Sequence, residues 1–391
     1  MNRRTLLGLA GGLAIGGARL AWASNPSAPA GDARFVVILL RGALDGLAAV
    51  QPYGDPGLVS LRGSLALPEP GQPGGVLDLG GGFGLHPSLR RLHALYLAGE
   101  ALPIHAVAGS HRSRSHFDAQ DFLESGAEQR LSSGWLNRAL TAVPSTGPSR
   151  AGLSVGVDVP LLLRGPVRVG SYAPAGVGQV EHDTLAHLAA LHGRDPLLGP
   201  SFTEGLRARG FSAAVLSGQS PSPANRGGFV ALAGAAGRLM AATEGPRVAA
   251  MEMGGWDTHA GQLPRLNTAL AELDAGLDAL REGLGEAWRR TAILVATEFG
   301  RTVRVNGTGG TDHGTGGVAF ILGGAIAGGR MLANWPGLSD LYEGRDLQPT
   351  MDVRSLAKGL LRDHLRLPAA ALAQAFPDSE AALPQAGLLR A

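Results

Sequence analysis

Aspartate and histidine occur together at two places in this sequence, and a further aspartate follows an apolar run. Asp312 and His313 are adjacent in a glycine-rich stretch, and Asp257 and His259 are separated by one residue. Asp45 follows the first long apolar run after the amino terminus. Carboxylate oxygens and imidazole nitrogens bind zinc and similar divalent ions where no thiolate is present. These five residues are therefore candidate metal ligands.

Each of these positions also has a structural interpretation that the sequence leaves open. Asp45 stands where a carboxylate caps a helix as readily as it points into a site. An Asp-x-His pattern is weak evidence, since both residue types are common in turns and caps. A glycine-rich turn with a capping aspartate accounts equally well for Asp312 and His313.

The most polar stretch of the chain surrounds Ser113 and Ser115. A helix is predicted to begin near Ser115, with Asp118 at the capping-box position. A helix amino terminus stabilises anions, and Arg112 and Arg114 can bind phosphate or sulfate through paired hydrogen bonds. The stretch is thus a candidate for a nucleophilic serine beside an anion site, although a capped helix in a solvated loop remains the alternative.

Short apolar, β-branched runs precede these polar positions and predict buried strands. The runs are residues 34–40, 101–108, 247–253, 291–296 and 318–322. Helical patterns are predicted at about 86–97, 134–142, 184–194, 201–217, 227–243, 262–287, 353–364 and 368–375. The alternation predicts an α/β fold, in which ligands bind at the ends of the strands.

Composition limits the function classes. The chain has 391 residues, no cysteine and a formal net charge of +2. Without cysteine, disulfides and thiolate metal sites are excluded. No run of lysine or arginine and no aromatic stacking surface indicates a nucleic-acid partner.

Residues 1–23 have the features of a twin-arginine signal peptide. Arg3 and Arg4 precede a Gly/Ala-rich apolar run, and Ala21-Trp22-Ala23 forms an A-x-A cleavage site. The apolar run is too short to be a transmembrane segment. We therefore expect a periplasmic or extracellular location, a linker over 24–33, and one domain over 34–391 with a helical insertion at about 160–245.

The order of the candidate groups along the chain resembles that of the alkaline phosphatase superfamily. That superfamily has an aspartate after the first strand, a nucleophile at a helix start, then an Asp…His pair and an Asp-His pair around two metal ions. The resemblance implies a three-layer sandwich, with a central, mostly parallel sheet and helices on both faces. It also implies a cofactor of one or two divalent ions, such as Zn, Mn or Ca.

Four longer phrases are similar to a narrower group. They are LLRGALDGLAAVQPYGDP, SRSHFDAQDFLESG, GGWDTH and TEFGRTVRVNGTGGTDHGTGG. They resemble the exported bacterial family catalogued as domain of unknown function 1501, over nearly the whole chain after the signal peptide.

Site roles follow from this resemblance residue by residue. The implied metal ligands are Asp45, Asp257, His259, Asp312 and His313. Ser113 or Ser115 falls at the nucleophile position, and the implied substrate-side residues are His116, Arg112, Arg114 and Arg301.

Two departures from the superfamily pattern matter. The Asp257…His259 spacing is tighter than usual, and the late histidine that completes one metal site has no clear counterpart, since His364 lies in an amphipathic helix. These departures leave three alternatives. The chain binds a single metal, it uses Glu298 or His116 as a replacement ligand, or it has lost catalysis.

The expected activity is metal-assisted hydrolysis of a phosphate ester, in a small molecule or a polymer. Phosphate is preferred to sulfate because the C/S-x-P-x-R motif of sulfatases is absent. The alternative is a non-catalytic, metal-containing binding or assembly protein of the cell envelope. A serine hydrolase is disfavoured because neither Ser113 nor Ser115 lies in a G-x-S-x-G motif.

Overall fold

The apolar runs form strands of one eight-stranded sheet. The structure is a computed structural model that describes residues 32–143, 152–156, 158–173, 199–216 and 228–391, and also 188, 191 and 195. The strands of the main sheet are β1 (Arg34–Leu40), β5 (Ala101–Ala108), β6 (Gly152–Val155), β7 (Gly170–Tyr172), β8 (Val248–Met253), β9 (Thr291–Thr297), β10 (Gly317–Leu322) and β11 (Met351–Asp352). A small second sheet contains β2 (Val50–Gln51), β3 (Leu77–Gly80) and β4 (Phe83–Leu85).

The main sheet is mixed and mostly parallel, with the order β11-β5-β10-β9-β1-β8-β6-β7. Strand β10 is antiparallel to both of its neighbours, β5 and β9, and the other pairings are parallel. As a result the start of β10 lies at the same edge of the sheet as the ends of β1, β5, β8 and β9. This arrangement confirms the predicted α/β class with a mostly parallel sheet.

Helices cover both faces of the sheet. They are α1 (Gly46–Ala49), α2 (Leu58–Arg62), α3 (Arg90–Leu97), α4 (His116–Ser125), α5 (Trp135–Leu140), α6 (Gly199–Leu216), α7 (Phe229–Ala241), α8 (Gln262–Leu284), α9 (Val353–Asp363) and α10 (Ala369–Ala375). Alternate side chains of β1 enter two separate hydrophobic cores. Helices α3, α7 and α8 contribute to one core, and α5, α9 and α10 contribute to the other. Because both faces of the main sheet are buried, side chains on both sides of a strand are apolar, and the strand sequences are continuous apolar runs.

Most predicted elements are confirmed, but the helix predicted over 86–97 begins later, at Arg90. His86 is buried before the helix, and its Nδ1 accepts the N–H of Ser88. The free N–H groups of Arg91 and Leu92 donate to the buried carboxylate of Asp274 from α8. A tertiary contact therefore takes the place of a local cap.

Other predictions fall partly or wholly outside the described residues. The predicted signal peptide at 1–23 lies outside them, as do most of the linker at 24–33 and most of the helical pattern at 184–194. Within 160–245, β7 pairs with β6 in the main sheet and α7 packs on α8. The helical insertion and the domain boundaries stay predictions. No helix among the described residues is both long and apolar enough to span a bilayer.

Helices α7 and α8 approach closely because of glycines at their contact. A Cβ on Gly283 would lie 2.5 Å from the carbonyl oxygen of Gly234, and one on Gly237 would lie 2.5 Å from that of Leu280. Both distances are below any real Cβ contact, and the obstructing atoms are backbone. The core beneath these helices therefore depends on the absence of side chains here.

We expect Gly283→Ala to lower the free energy of unfolding by about 1–3 kcal/mol, the usual cost of overpacking. The control is Gly205→Ala in α6, where a Cβ meets no atom of the described residues within 4 Å. That change should be neutral, or stabilising by up to about 1 kcal/mol, since alanine is the better helix former. Urea titrations followed by circular dichroism measure both, and equal effects would contradict the packing explanation.

Candidate metal centre

The candidate site lies at one edge of the main sheet. Loops after β1, β5, β8 and β9 and the loop before β10 meet there, as the strand directions require. These loops carry all the polar positions singled out from the sequence. Glycines allow the loops to approach each other: a Cβ on Gly42 would lie 2.7 Å from the backbone nitrogen of Asp257.

One carboxylate oxygen is the centre of the site. Asp257 Oδ1 lies 3.0 Å from His259 Nε2, 3.2 Å from His313 Nε2 and 3.5 Å from His116 Nε2. Arg301 also donates to this oxygen at 2.9 Å. We call His116, Asp257, His259 and His313 the histidine–aspartate cluster. The structure thus brings together two regions of predicted ligands and His116, which the sequence offered as a replacement ligand.

The three imidazoles are oriented in the same way, because each Nδ1 contacts an oxygen. The acceptors are the Glu298 carboxylate for His116 (2.8 Å), the Asp312 carboxylate for His259 (3.0 Å) and the Arg114 carbonyl for His313 (2.7 Å). Because these oxygens accept, each Nδ1 carries the proton when its imidazole is neutral. Each Nε2 then presents a lone pair to the cluster.

Two contacts inside the cluster are unfavourable without a cation. His259 Nε2 and His313 Nε2 lie 3.0 Å apart, so two lone pairs face each other unless a proton or a metal lies between them. His116 Nε2 is buried, and no group of the described residues makes a hydrogen bond to it. Buried nitrogens of this kind are rare unless a ligand or water satisfies them.

The donor set fits a single divalent ion. The donors of His116, Asp257 and His313 all lie within 4.8 Å of one another. Zinc ligands at about 2.0–2.1 Å in a tetrahedron are themselves about 3.3 Å apart, close to the 3.0–3.5 Å separations from Asp257 Oδ1. Histidines that bind metals commonly donate their other ring N–H to a carboxylate or carbonyl, as all three do here.

Glu298, predicted as a replacement ligand, lies behind His116. Its Oε1 accepts from His116, from Gln120 at 2.9 Å and from the backbone of Gly42 at 2.8 Å. Its Oε2 accepts from Thr297 at 2.8 Å. Burial alone would raise the pKa of Glu298, but the hydrogen bonds from His116 and Gln120 outweigh it and lower that pKa to about 2. The carboxylate therefore holds His116 in place as an ionised acceptor.

The pKa values of Asp257, His116 and His313 are shifted in different directions. Burial would raise the pKa of Asp257, but the charges of Arg301, His259 and His116 lower it. The hydrogen bond to Glu298 raises the pKa of His116 against the effect of burial. Burial lowers the pKa of His313, so its neutral form is favoured.

Asp45 lies outside the cluster. Its Oδ1 accepts the N–H groups of Leu47 and Ala48 and so caps α1. Its Oδ2 forms a buried ion pair with Arg62 and accepts from Gln262 at 2.5 Å. Both carboxylate oxygens are therefore engaged by protein donors, and the predicted role as a metal ligand stays a prediction.

Asp312 lies beside the cluster and contacts it through His259. The side chain of Asp312 is 54% exposed, and its Oδ1 also accepts from Asn306 at 3.2 Å. The hydrogen bond from His259 lowers the pKa of Asp312. In this arrangement Asp312 orients a candidate ligand.

The segment that contains Ser113 and Ser115 leads directly into α4. Ser115 is the N-cap of α4 and accepts the N–H of Asp118, which confirms the predicted helix start. Ser113 Oγ accepts the N–H of Ser115 at 3.1 Å. His116 is the first residue of the helix, so the cluster and the amino end of α4 are adjacent.

The three candidate substrate arginines have different surroundings. Arg112 is exposed and donates to the carbonyl of Gly109. Arg114 donates to the buried Asp346 at 2.8 and 3.1 Å, so its guanidinium is held by a protein carboxylate. Arg301 is buried against Asp257, and its Nε and one terminal nitrogen find no hydrogen-bond partner in the part of the chain that the structure describes.

Sequence reasoning missed the residues that hold His313. Arg345 donates to the carbonyl of His313 at 2.7 Å, and Asp346 positions Arg114, whose carbonyl accepts from His313. Arg345 and Asp346 follow no apolar run, so no local signal could have found them. His364 is excluded from the site by its position, since it contacts the carbonyl of Arg34 at the opposite end of β1.

Comparisons with solved structures find distant similarities. Ps i-CgsB in complex with k-i-k-neocarrahexaose aligns over 75% of this chain and 66% of its own, at 10% identity and a TM-score of 0.36. The phosphonate monoester hydrolase of Agrobacterium radiobacter aligns over 85% of this chain and 74% of its own, at 12% identity and a TM-score of 0.37. A TAB5 alkaline phosphatase mutant with Mg bound in its M3 site aligns over 77% of this chain and 94% of its own, at 9% identity and a TM-score of 0.36.

The chain therefore spans about two thirds of the length of the first of these proteins. At these TM-scores the similarity is too distant to carry an argument about activity. No curated protein matches the sequence significantly.

A family comparison gives a clearer result. The family described as "Protein of unknown function (DUF1501)" matches residues 98–376. This range is well over half of the chain and contains every residue of the histidine–aspartate cluster. It confirms the family predicted from the sequence motifs, and the chain belongs to the DUF1501 family.

Proposed function

We propose that this protein is a metal-dependent hydrolase that acts on a phosphate ester. The observation that carries the proposal is the convergence of three oriented imidazoles on Asp257 Oδ1. Such an arrangement is costly without a cation, because nitrogen lone pairs face each other and a buried nitrogen lacks a partner. It lies at the amino end of α4, where helices favour anionic ligands.

In this proposal His116, Asp257 and His313 hold one divalent ion, and His259 lies beside them, 3.0 Å from both Asp257 Oδ1 and His313 Nε2. Imidazole nitrogens with a carboxylate favour zinc or manganese over calcium, which prefers oxygen ligands. When bound, the ion withdraws charge from the ester and lowers the pKa of a hydroxyl or water in contact with it. Glu298, Asp312 and the Arg114 carbonyl keep the three imidazoles oriented.

Ser115 is the proposed nucleophile. It is the N-cap of α4, directly before His116, whereas Ser113 lies two residues earlier and its Oγ accepts the N–H of Ser115. The N–H of Asp118 donates to Ser115 Oγ over a long distance of 3.5 Å, so the hydroxyl oxygen is weakly engaged. The amino end of a helix also stabilises a developing oxyanion.

The proposed reaction has two steps. The Ser115 oxygen forms a bond to phosphorus, the bond from phosphorus to the leaving oxygen breaks, and the hydroxyl proton passes through solvent to the leaving group. Water then attacks the phosphoserine, which releases inorganic phosphate and restores the hydroxyl.

Arg112 is the arginine best placed to contact the transferred phosphoryl group. It is exposed in the same loop as Ser115, and its guanidinium has no carboxylate partner among the ion pairs of the described residues. Arg114 is paired with Asp346 and Glu343, and Arg301 is buried against Asp257. The latter two arginines position the site in this proposal.

A non-catalytic role in the cell envelope is the second candidate, and one observation favours it. The cluster offers four protein donors, and a site with four protein ligands is typical of a structural metal. Exposure of the Asp257 and His259 side chains, at 45% and 43%, favours the catalytic reading because solvent reaches the centre. Under either proposal the protein is exported by the twin-arginine route to the periplasm or the cell exterior.

We expect the purified protein to bind about one equivalent of zinc or manganese, as a single donor cluster implies. His313→Ala and Asp257→Asn should lower the bound metal to background, as measured by elemental analysis after dialysis. His93→Ala is the matched control, because His93 contacts the Asp78 carbonyl away from the cluster. A wild-type protein that stays metal-free after incubation with each ion would contradict the proposed centre.

Hydrolysis of aryl phosphate esters should require the metal and Ser115. We expect Ser115→Ala to lower kcat by more than about 1,000-fold, as loss of a nucleophile does, while Ser113→Ala keeps most of the activity. Brief incubation with a phosphate ester labelled in the phosphoryl group should label Ser115. A Ser115→Ala enzyme with wild-type activity would show that Ser115 is not the nucleophile, and metal binding without turnover would favour the non-catalytic role.

The ionised state of Glu298 predicts a pH-dependent stability. Its folded-state pKa of about 2 lies below that of an unfolded glutamate, so its contribution is complete above the unfolded pKa and is lost as the pH falls toward 2. Glu298→Gln should therefore lower the free energy of unfolding by about 1–3 kcal/mol at pH 7, the scale of hydrogen bonds to a charge.

The same substitution should cost much less at pH 3, as urea titrations with a chelator would measure. Glu286→Gln, which removes an exposed surface carboxylate, is the control. A cost for Glu298→Gln that is independent of pH would contradict the ionised acceptor.

A further inference from the structure

A buried polar network lies directly beneath the two loops that carry Asp257–His259 and Asp312–His313. Its centre is Gln262, the first residue of α8, whose side chain is fully buried. Gln262 Oε1 accepts the Thr258 hydroxyl at 3.0 Å and the Thr311 hydroxyl at 2.6 Å. Thr258 lies between Asp257 and His259, and Thr311 directly precedes Asp312.

One amide oxygen therefore joins both candidate ligand loops. The backbone supports the same junction, since the N–H of Thr311 donates to the carbonyl of Thr258 at 3.2 Å and that of Gln262 donates to Gly309 at 2.9 Å. A Cβ on Gly310 would lie 2.3 Å from the backbone of His259, so the two loops approach closely here. Both loops are therefore hydrogen-bonded to the same residue, Gln262.

The other end of the Gln262 amide is anchored by Asp45. Gln262 Nε2 donates to Asp45 Oδ2 at 2.5 Å, and Arg62 forms an ion pair with the same oxygen. Arg62 also donates to the carbonyls of Thr302 and Val303, at 3.3 and 3.2 Å, just after Arg301. Asp45 and Arg62 are each 1% exposed, so the network is shielded from competing water.

We propose that Gln262 is a positioning residue for the histidine–aspartate cluster and that Asp45 acts through Gln262 instead of binding the metal. The amide orientation follows from the network: the oxygen accepts two hydroxyls, and the nitrogen faces a carboxylate that only accepts. The hydrogen-bond network centred on Gln262 sets the separation of His259 and His313, whose Nε2 atoms lie 3.0 Å apart. The part of the proposal that concerns metal binding rests on the proposed function. The part that concerns the coupling of the two loops does not, and amide hydrogen exchange can test it without metal.

The first test uses hydrogen exchange in metal-free protein, which requires no assumption about the ion. Gln262→Met keeps the side-chain length and removes the amide. It should increase amide exchange in 254–261 and in 306–313 together. The control is Thr268→Val, also in α8, where the lost hydroxyl bonds only the carbonyl of Pro264. If amide exchange in Gln262→Met is unchanged, or rises in only one of the two loops, the proposal that Gln262 couples the loops is overturned.

The second test compares metal affinities by competition with a chromophoric zinc chelator. Thr258→Val and Thr311→Val should each raise the Kd for Zn²⁺ by roughly 10-fold, at the low end for groups that orient ligands. Because both hydroxyls share one acceptor, the double variant should weaken binding by less than the product of the two effects. Thr311→Ser keeps the hydroxyl and should bind Zn²⁺ with near wild-type affinity. If the loss in Thr311→Val came only from the change in side-chain volume, Thr311→Ser would also bind more weakly.

The role of Asp45 is decided by comparison with Gln262. If Asp45 acts through Gln262, Asp45→Asn and Gln262→Met weaken Zn²⁺ binding to a similar extent and change the visible spectrum of the Co²⁺-substituted protein alike. Loss of metal in Asp45→Asn with full binding in Gln262→Met would make Asp45 a ligand and overturn the proposal. If wild-type protein binds no metal, the proposed function fails, and the exchange experiment alone decides the coupling.

Discussion

Three imidazole nitrogens and one guanidinium approach a single oxygen of Asp257, and the surrounding structure is arranged to keep them there. Nitrogen lone pairs that face each other across 3.0 Å repel, so each ring has to be held by its far side. Glu298, Asp312 and the Arg114 carbonyl supply those restraints. Each restraint is in turn supported, and Glu298 alone accepts from four donor groups.

Strand direction explains how distant segments reach this point. Because β10 is antiparallel to β9, the loop that enters β10 lies at the same edge as the loop that leaves β9. Asp312 and His313 precede β10 and therefore lie beside Asp257 and His259, which follow β8. With a parallel β10 the two pairs would lie at opposite ends of the sheet. The topology of one strand therefore decides whether the site exists.

The polar residues near the site form two groups with different purposes. Glu298 holds His116 and accepts from Gln120 and Thr297. Asp45, Arg62, Gln262, Thr258 and Thr311 lie beneath the two ligand loops. Both groups contain charges that are expensive to bury, and nearly all of their polar atoms are paired. Buried networks of this kind specify a single arrangement when they are satisfied. Here they hold groups that would otherwise repel one another.

The sequence alone determined which segments become strands, because apolar β-branched runs have few alternatives to burial in a sheet. It also determined that Asp257, His259, Asp312 and His313 lie at strand ends, and it located the helix start at Ser115. The same local patterns could not separate a capping aspartate from a ligand, and Asp45 illustrates why. Its cap follows from neighbouring N–H groups, but its bonds to Arg62 and Gln262 join residues far apart in the chain.

Only the tertiary structure decided that His116 faces Asp257, that Glu298 lies behind it and that Arg345 and Asp346 support His313. These contacts depend on strand order and direction, which are set by packing across the whole sheet and leave no periodic signal in the sequence.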